Sequence, residues 1–110
     1  MLEKDIVRKI IKYINDNNVF DGYAWKNHGG LYGVKGLPDI MAVIKYGKKS
    51  FFLCFEVKQP GNKATEIQKS TLSKLNKLGA TANVVTSVQE VKLIINRLLK
   101  NEDRWIIKKL

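Results

Sequence analysis

Apolar residues recur at helical spacing from the start of the chain. Ile6, Val7, Ile10, Ile11 and Ile14 share one face of the segment Leu2 to Asn15, and Lys4, Arg8, Lys9 and Lys12 fill the other. That spacing predicts an amphipathic helix. Asn15-Asp16-Asn17-Asn18 ends it. Val19 to Trp25 fits a short strand, and the stretch from His28-Gly29-Gly30 to Gly36 reads as a loop. Two apolar runs follow, Asp39 to Lys45 and Ser50 to Val57, with Tyr46-Gly47-Lys48-Lys49 suited to a hairpin turn between them. Both runs are apolar on both faces, so they are expected to be central and covered on each side. Gln59 to Lys63 is a Pro/Gly loop. Thr65 to Leu78 predicts a second helix, with Ile67, Thr71, Leu72, Leu75 and Leu78 as its apolar stripe and Gly79 as its C-terminal cap. Ala80 to Thr86 reads as a third strand, and Ser87-Val88-Gln89-Glu90 as a capping box opening a helix to about Leu99. The tail, Asn101 to Leu110, carries Trp105-Ile106-Ile107 and reads as a further strand or as an apolar patch for a partner subunit. This order implies an α/β fold, a mixed sheet with helices against it, in one domain over residues 1–110.

Composition narrows the partners. The chain has 110 residues, 45% hydrophobic and 27% charged, which fits a globular domain rather than a disordered chain. Twenty Lys and Arg against ten Asp and Glu give a net charge of +10, which favours a polyanionic partner, nucleic acid before an anionic membrane surface. Cys54 is the only cysteine, so an internal disulfide and a multi-cysteine zinc site are excluded, and a reducing cytoplasm is the natural compartment. No apolar run approaches the roughly 18 residues that span a bilayer, and the first residues show no signal-peptide pattern. No membrane partner is therefore expected.

Charged residues interrupt the apolar runs at two places. Pro38-Asp39 opens the first confident strand, and Glu56-Val57-Lys58 closes the second. Removing such groups from water costs several kcal/mol per ion unless something offsets it. Two carboxylates at neighbouring strand ends can hold a divalent cation, and the Val57 carbonyl can add a third oxygen. In the second strand alternation places Phe52, Cys54, Glu56 and Lys58 on one face. Lys58 lies about 6.5 Å beyond Glu56, within reach of an attacking water or a phosphate. The plainer reading is a salt bridge at a sheet edge. Glu3 shares the inward stripe of the first helix, where an acid also favours the helix dipole. Gln68 reads as an ordinary helix glutamine, or as an amide that braces Lys58 or a water. Lys26, Asn27, His28 and Lys35, with Lys63 and Lys69 near the second helix, are candidate contacts to a phosphate backbone; a solvated basic face accounts for the lysines equally.

Taken together, Gly36-Leu37-Pro38-Asp39-Ile40, then Phe55-Glu56-Val57-Lys58, then Gln68, resemble the PD-(D/E)XK nuclease superfamily, and more narrowly its VRR-NUC domain in the small stand-alone phage and bacterial form. The resemblance runs from Glu3 to about Val88. It implies a restriction-endonuclease-like core and a Mg²⁺- or Mn²⁺-dependent DNA endonuclease. It assigns Asp39 and Glu56 to the metal, Lys58 to catalysis, Gln68 to the polar position after the Glu-x-Lys strand, and Glu3 to the acidic position of the first helix. It also implies a homodimer acting on branched DNA such as four-way junctions, in a bacterial or phage-infected cell. The alternative is a basic DNA-binding module without catalysis, its acids and lysine forming a buried salt-bridge network.

Overall fold

A computed structural model describes the backbone of residues 1–28 and 35–109 and the side chains of residues 1–28 and 35–101. The elements follow in the order α1 (Glu3–Asn15), β1 (Asp21–Lys26), β2 (Ile40–Tyr46), β3 (Lys49–Val57), α2 (Glu66–Lys77), β4 (Thr81–Val85) and α3 (Val88–Lys109). The strands form one sheet in the order β1-β2-β3-β4. The β1–β2 and β2–β3 pairs are antiparallel and β3–β4 is parallel. α2 makes the crossover that a parallel pair requires. Among the described residues no helix is long and apolar enough to cross a membrane.

The larger core lies on one face of the sheet. Ile6, Val7, Ile10 and Ile14 of α1 and Val91, Ile95 and Leu99 of α3 cover Ala24, Ile40, Ala42, Ile44, Leu53, Phe55, Val57 and Val85. α1 forms where expected because its buried residues recur at helical spacing, with Glu3 and Asp5 in the first turn and Lys12 in the last. The other face is covered less. There α2 brings Leu72 and Leu75 against Cys54, Ala82 and Met41. The expectation that β2 and β3 are covered on both sides therefore fails for part of their length: Val43 and Phe52, directly paired, are 41% and 37% exposed. Among the described residues only one helix, α2, serves this face, and it lies over β3 and β4. The α2 stripe is narrower than its pattern implied for the same reason, with Ile67 and Leu78 exposed.

Two asparagines close the sheet edges. Asn15, ending α1, accepts from the Ala24 N–H at 2.7 Å and donates to the Ala24 carbonyl at 3.3 Å. Asn76, near the end of α2, does the same for Ala82, at 2.9 and 2.8 Å. Each amide stands in for one residue of a missing neighbour strand, which blunts an edge that would otherwise invite pairing.

Three terminal details differ from the pattern reading. α3 opens with Ser87 Oγ accepting from the Glu90 N–H, but the Glu90 carboxylate reaches back to the N–H and hydroxyl of Thr86 rather than to Ser87. The tail, for which a strand was one expectation, continues α3 as helix to Lys109. Strand β1 starts at Asp21 rather than Val19, and β2 at Ile40 rather than Asp39.

Candidate active site

The hairpin sets the geometry of the site. A two-residue turn, Gly47-Lys48, joins β2 to β3, with Gly47 at φ +63°. Pairing then runs Tyr46↔Lys49 through to Ile40↔Phe55, and the next pair in that register is Asp39 and Glu56. Directly opposed residues share a face. The face is that of Cys54 and Met41, opposite the larger core.

Asp39 is fixed from several directions. Its carboxylate Oδ2 accepts from the Val57 N–H at 2.8 Å. Its backbone carbonyl accepts from the Asn27 N–H at 2.8 Å, and the Asn27 side chain donates to the Pro38 carbonyl at 2.8 Å. Asn27, read as a possible phosphate contact, is thus a clamp on the Pro38-Asp39 corner. Gly36 shapes the approach to that corner. It adopts φ +83°, and a Cβ there would lie 2.5 Å from Ile67 Cγ2, so the loop can cross α2 closely only with glycine.

Glu56 is 2% exposed, the one charged residue type among the buried described side chains. Burial pushes its carboxyl up to about 8, with the hydrogen bond to Asp39 and the Asp39 charge acting in the same direction. Lys58 opposes that rise and Glu3 adds to it. The rise favours the protonated form of Glu56 beside Asp39. The shift is large chiefly because burial disfavours the charged form, and the neighbouring Asp39 carboxylate adds to it. Beyond Glu56, the Lys58 N–H donates to the Val85 carbonyl at 3.0 Å, which holds the lysine's backbone on β4.

The structure thus gathers Asp39, Glu56 and Lys58, with Glu3 within electrostatic reach. Among the described residues no group of three or more His, Cys, Asp or Glu side chains is assembled as a metal cage; Glu3 acts on Glu56 through its charge. The pair nonetheless supplies the oxygen donors that a hard divalent cation takes, and cation binding competes with protonation of Glu56. Gln68 serves α2 as a cap. Its side-chain oxygen accepts from the Thr65 N–H at 2.8 Å, while its own N–H donates to Thr65 Oγ1, a full capping box for α2. The Thr-x-x-Gln spacing carried that signal in the sequence. Lys26, His28, Lys35 and Lys63 are exposed, and Lys26 and His28 flank the Asn27 clamp. Lys69 is engaged by Glu66 at 3.4 Å. Of the loop expected from Gly29 to Lys35, residues 29–34 lie outside the described residues. A cleft of about 230 Å³ between the starts of α1 and α3, lined in part by Met1, Ile6, Pro60 and Ser87, includes none of Asp39, Glu56 and Lys58.

Comparison with known proteins gives this arrangement its class. The fold is that of a nuclease-type domain of the PD-(D/E)XK superfamily. The VRR-NUC domain model matches residues 8–89, and the chain belongs to that family. The matched span contains Asp39, Glu56, Lys58 and Gln68, and begins after Glu3. Two solved structures share the fold. One, described as a VRR_NUC domain protein, has a TM-score of 0.69 at 23% identity, covering 91% of this chain and 89% of its own. The other, described as a VRR_NUC domain, has a TM-score of 0.65 at 23% identity, covering 87% and 97%. The comparison with curated proteins found no match.

Proposed function

We propose that the protein is a metal-dependent DNA endonuclease that hydrolyses phosphodiester bonds, with Mg²⁺ or Mn²⁺ held by Asp39, Glu56 and the Val57 carbonyl. One observation carries this reading: a buried glutamate, Glu56, in register with a half-buried aspartate, Asp39, on the neighbouring strand, with Lys58 two residues on. Buried carboxylates without a function are normally paired with cations or replaced. A bound divalent cation supplies charge neutralisation at the phosphate and a more acidic water. The chain's own groups do the rest. Asp39, held by Val57 and Asn27, is preorganised and needs no rearrangement to act as a ligand. Lys58 places an ammonium on the same face, where it can orient the water or offset charge on the phosphate. Lys26, His28 and Lys35 provide sequence-independent backbone contacts, in keeping with the +10 charge.

Branched DNA is the substrate that suits a homodimer, in which two sites address two strands. A cleavage panel over single-stranded, nicked, flap and four-way DNA, with Mg²⁺ or with chelator, tests this. The expected result is Mg²⁺-dependent cutting that is strongest on the branched substrates. Binding that ignores Mg²⁺, with no cutting of any substrate, supports the non-catalytic module instead.

A further inference from the structure

The face that carries the acid pair also carries an uncovered aromatic surface. Three successive rows cross it. Nearest the strand ends lie Asn27, Asp39 and Glu56, Asn27 being tied to Asp39 through its N–H. The next row in register is Trp25, Met41 and Cys54, and the one after it is Tyr23, Val43 and Phe52. Burial falls along this series: Cys54 is fully buried, Trp25 and Met41 are half-buried, and Tyr23, Val43 and Phe52 are 67%, 41% and 37% exposed. The Tyr23 and Trp25 rings lie against each other, their centroids 5.5 Å apart and inclined by 35°. Alternate residues of a strand are roughly 7 Å apart, so Trp25 stands one such step from the acid row and Tyr23 two.

This pair, exposed at Tyr23 and half-buried at Trp25, is not explained by the core: among the described residues α2 covers this face only over β3 and β4. Its surroundings are basic. Lys45, on the same face in the row beyond Tyr23 and opposite Asp21, is exposed, and Lys48 lies in the adjoining turn. Lys58 bounds the opposite end. Flat rings within a basic surface are what unpaired bases require: the rings offer stacking area to any base, and the lysines attract the backbone. A duplex shows its bases only by their edges, so stacking here requires bases freed from pairing.

We infer that Tyr23 and Trp25 form a stacking platform for unpaired DNA bases that flank the phosphate presented to Asp39 and Glu56. This deepens the nuclease reading and rests on it for the position of the cut strand. Unpaired bases at branch points and single-stranded arms are then bound by stacking, and fully paired DNA only through its phosphates.

The test measures binding without cleavage. In chelator, the affinities of the native protein, Tyr23→Leu, Trp25→Leu, Tyr23→Phe and Trp25→Phe are compared on a splayed fork with single-stranded arms and on a blunt duplex of equal length. Each leucine variant is expected to lose at least about fivefold on the fork and to bind duplex as the native protein does, while the phenylalanine variants retain fork affinity. Thermal melts confirm that the variants are folded. Equal losses on both DNAs, or no loss on the fork, overturn the platform. So does a change from dimer to monomer in sedimentation with fork affinity unchanged, since the face is then a protein interface. A fork-specific loss in a protein that cuts no DNA supports the platform and removes the nuclease reading instead.

Discussion

Replacing Glu56 with glutamine should make the metal-free protein more stable in alkali. In the folded chain the Glu56 carboxyl is pushed from its ordinary value near 4.5 up to about 8. Between those values the unfolded chain releases a proton that the folded chain keeps. Stability is therefore fully present below about pH 4.5 and drains as pH rises towards 8, by up to tenfold in the folding equilibrium per pH unit. Across the whole window the loss is on the order of 4–5 kcal/mol, a large part of a small domain's stability. Glu56→Gln keeps a neutral donor of the same shape facing Asp39 but removes the titration. Urea denaturation in chelator, from about pH 5 to about pH 9, should show native stability falling relative to the variant, with the two converging at the acid end. Excess Mg²⁺ should restore the native protein in alkali, because cation binding competes with protonation of Glu56. Parallel pH profiles for native protein and variant would refute the reasoning, since Glu56 would then not be held protonated by its neighbours.

Other substitutions test single elements. Asn76→Ala removes both bonds that close the β4 edge and should cost about 2 kcal/mol in denaturant melts, with more aggregation on heating. Gly36→Ala meets both the positive φ and the Ile67 methyl, so a loss of at least about 2 kcal/mol is expected, accompanied by slower cleavage as the Pro38-Asp39 corner shifts. Gln68→Glu preserves an acceptor for the Thr65 N–H and should keep both stability and activity, whereas Gln68→Ala should lose about 1 kcal/mol of stability. Lost activity in a stable Gln68→Glu protein would point to a role in the site itself.

Much of the site was legible because strands have period two. Alternation alone placed Glu56 and Lys58 with Phe52 and Cys54 on one face. The opposition of Asp39 and Glu56 follows from the hairpin: a turn of two residues at Gly47-Lys48 fixes every later pair. Coverage of that face was not legible. Apolar residues at Val43 and Phe52 look the same in sequence whether a helix covers them or not, and the decision rests on where α2 lies. Asn15 read as part of a helix ending and Asn76 drew no reading at all, because bonds from a helix end to a strand edge leave no periodic trace. Gln68 shows the opposite case. Its spacing from Thr65 was a local cap signal, yet the Glu-x-Lys context drew it towards the site. The tail failed as a strand because Trp105-Ile106-Ile107 is apolar without alternation, which a continuing helix also satisfies.

The most direct test of the central claim is the rate at which native protein and Asp39→Asn cut an end-labelled four-way DNA in Mg²⁺. The asparagine can still accept from the Val57 N–H, so the corner should remain folded while a charged metal ligand is lost. The account predicts cutting by the native protein that chelator abolishes, and a loss of at least about 100-fold in the variant. Equal rates in the two proteins, or cutting by the native protein that persists in chelator, would contradict it.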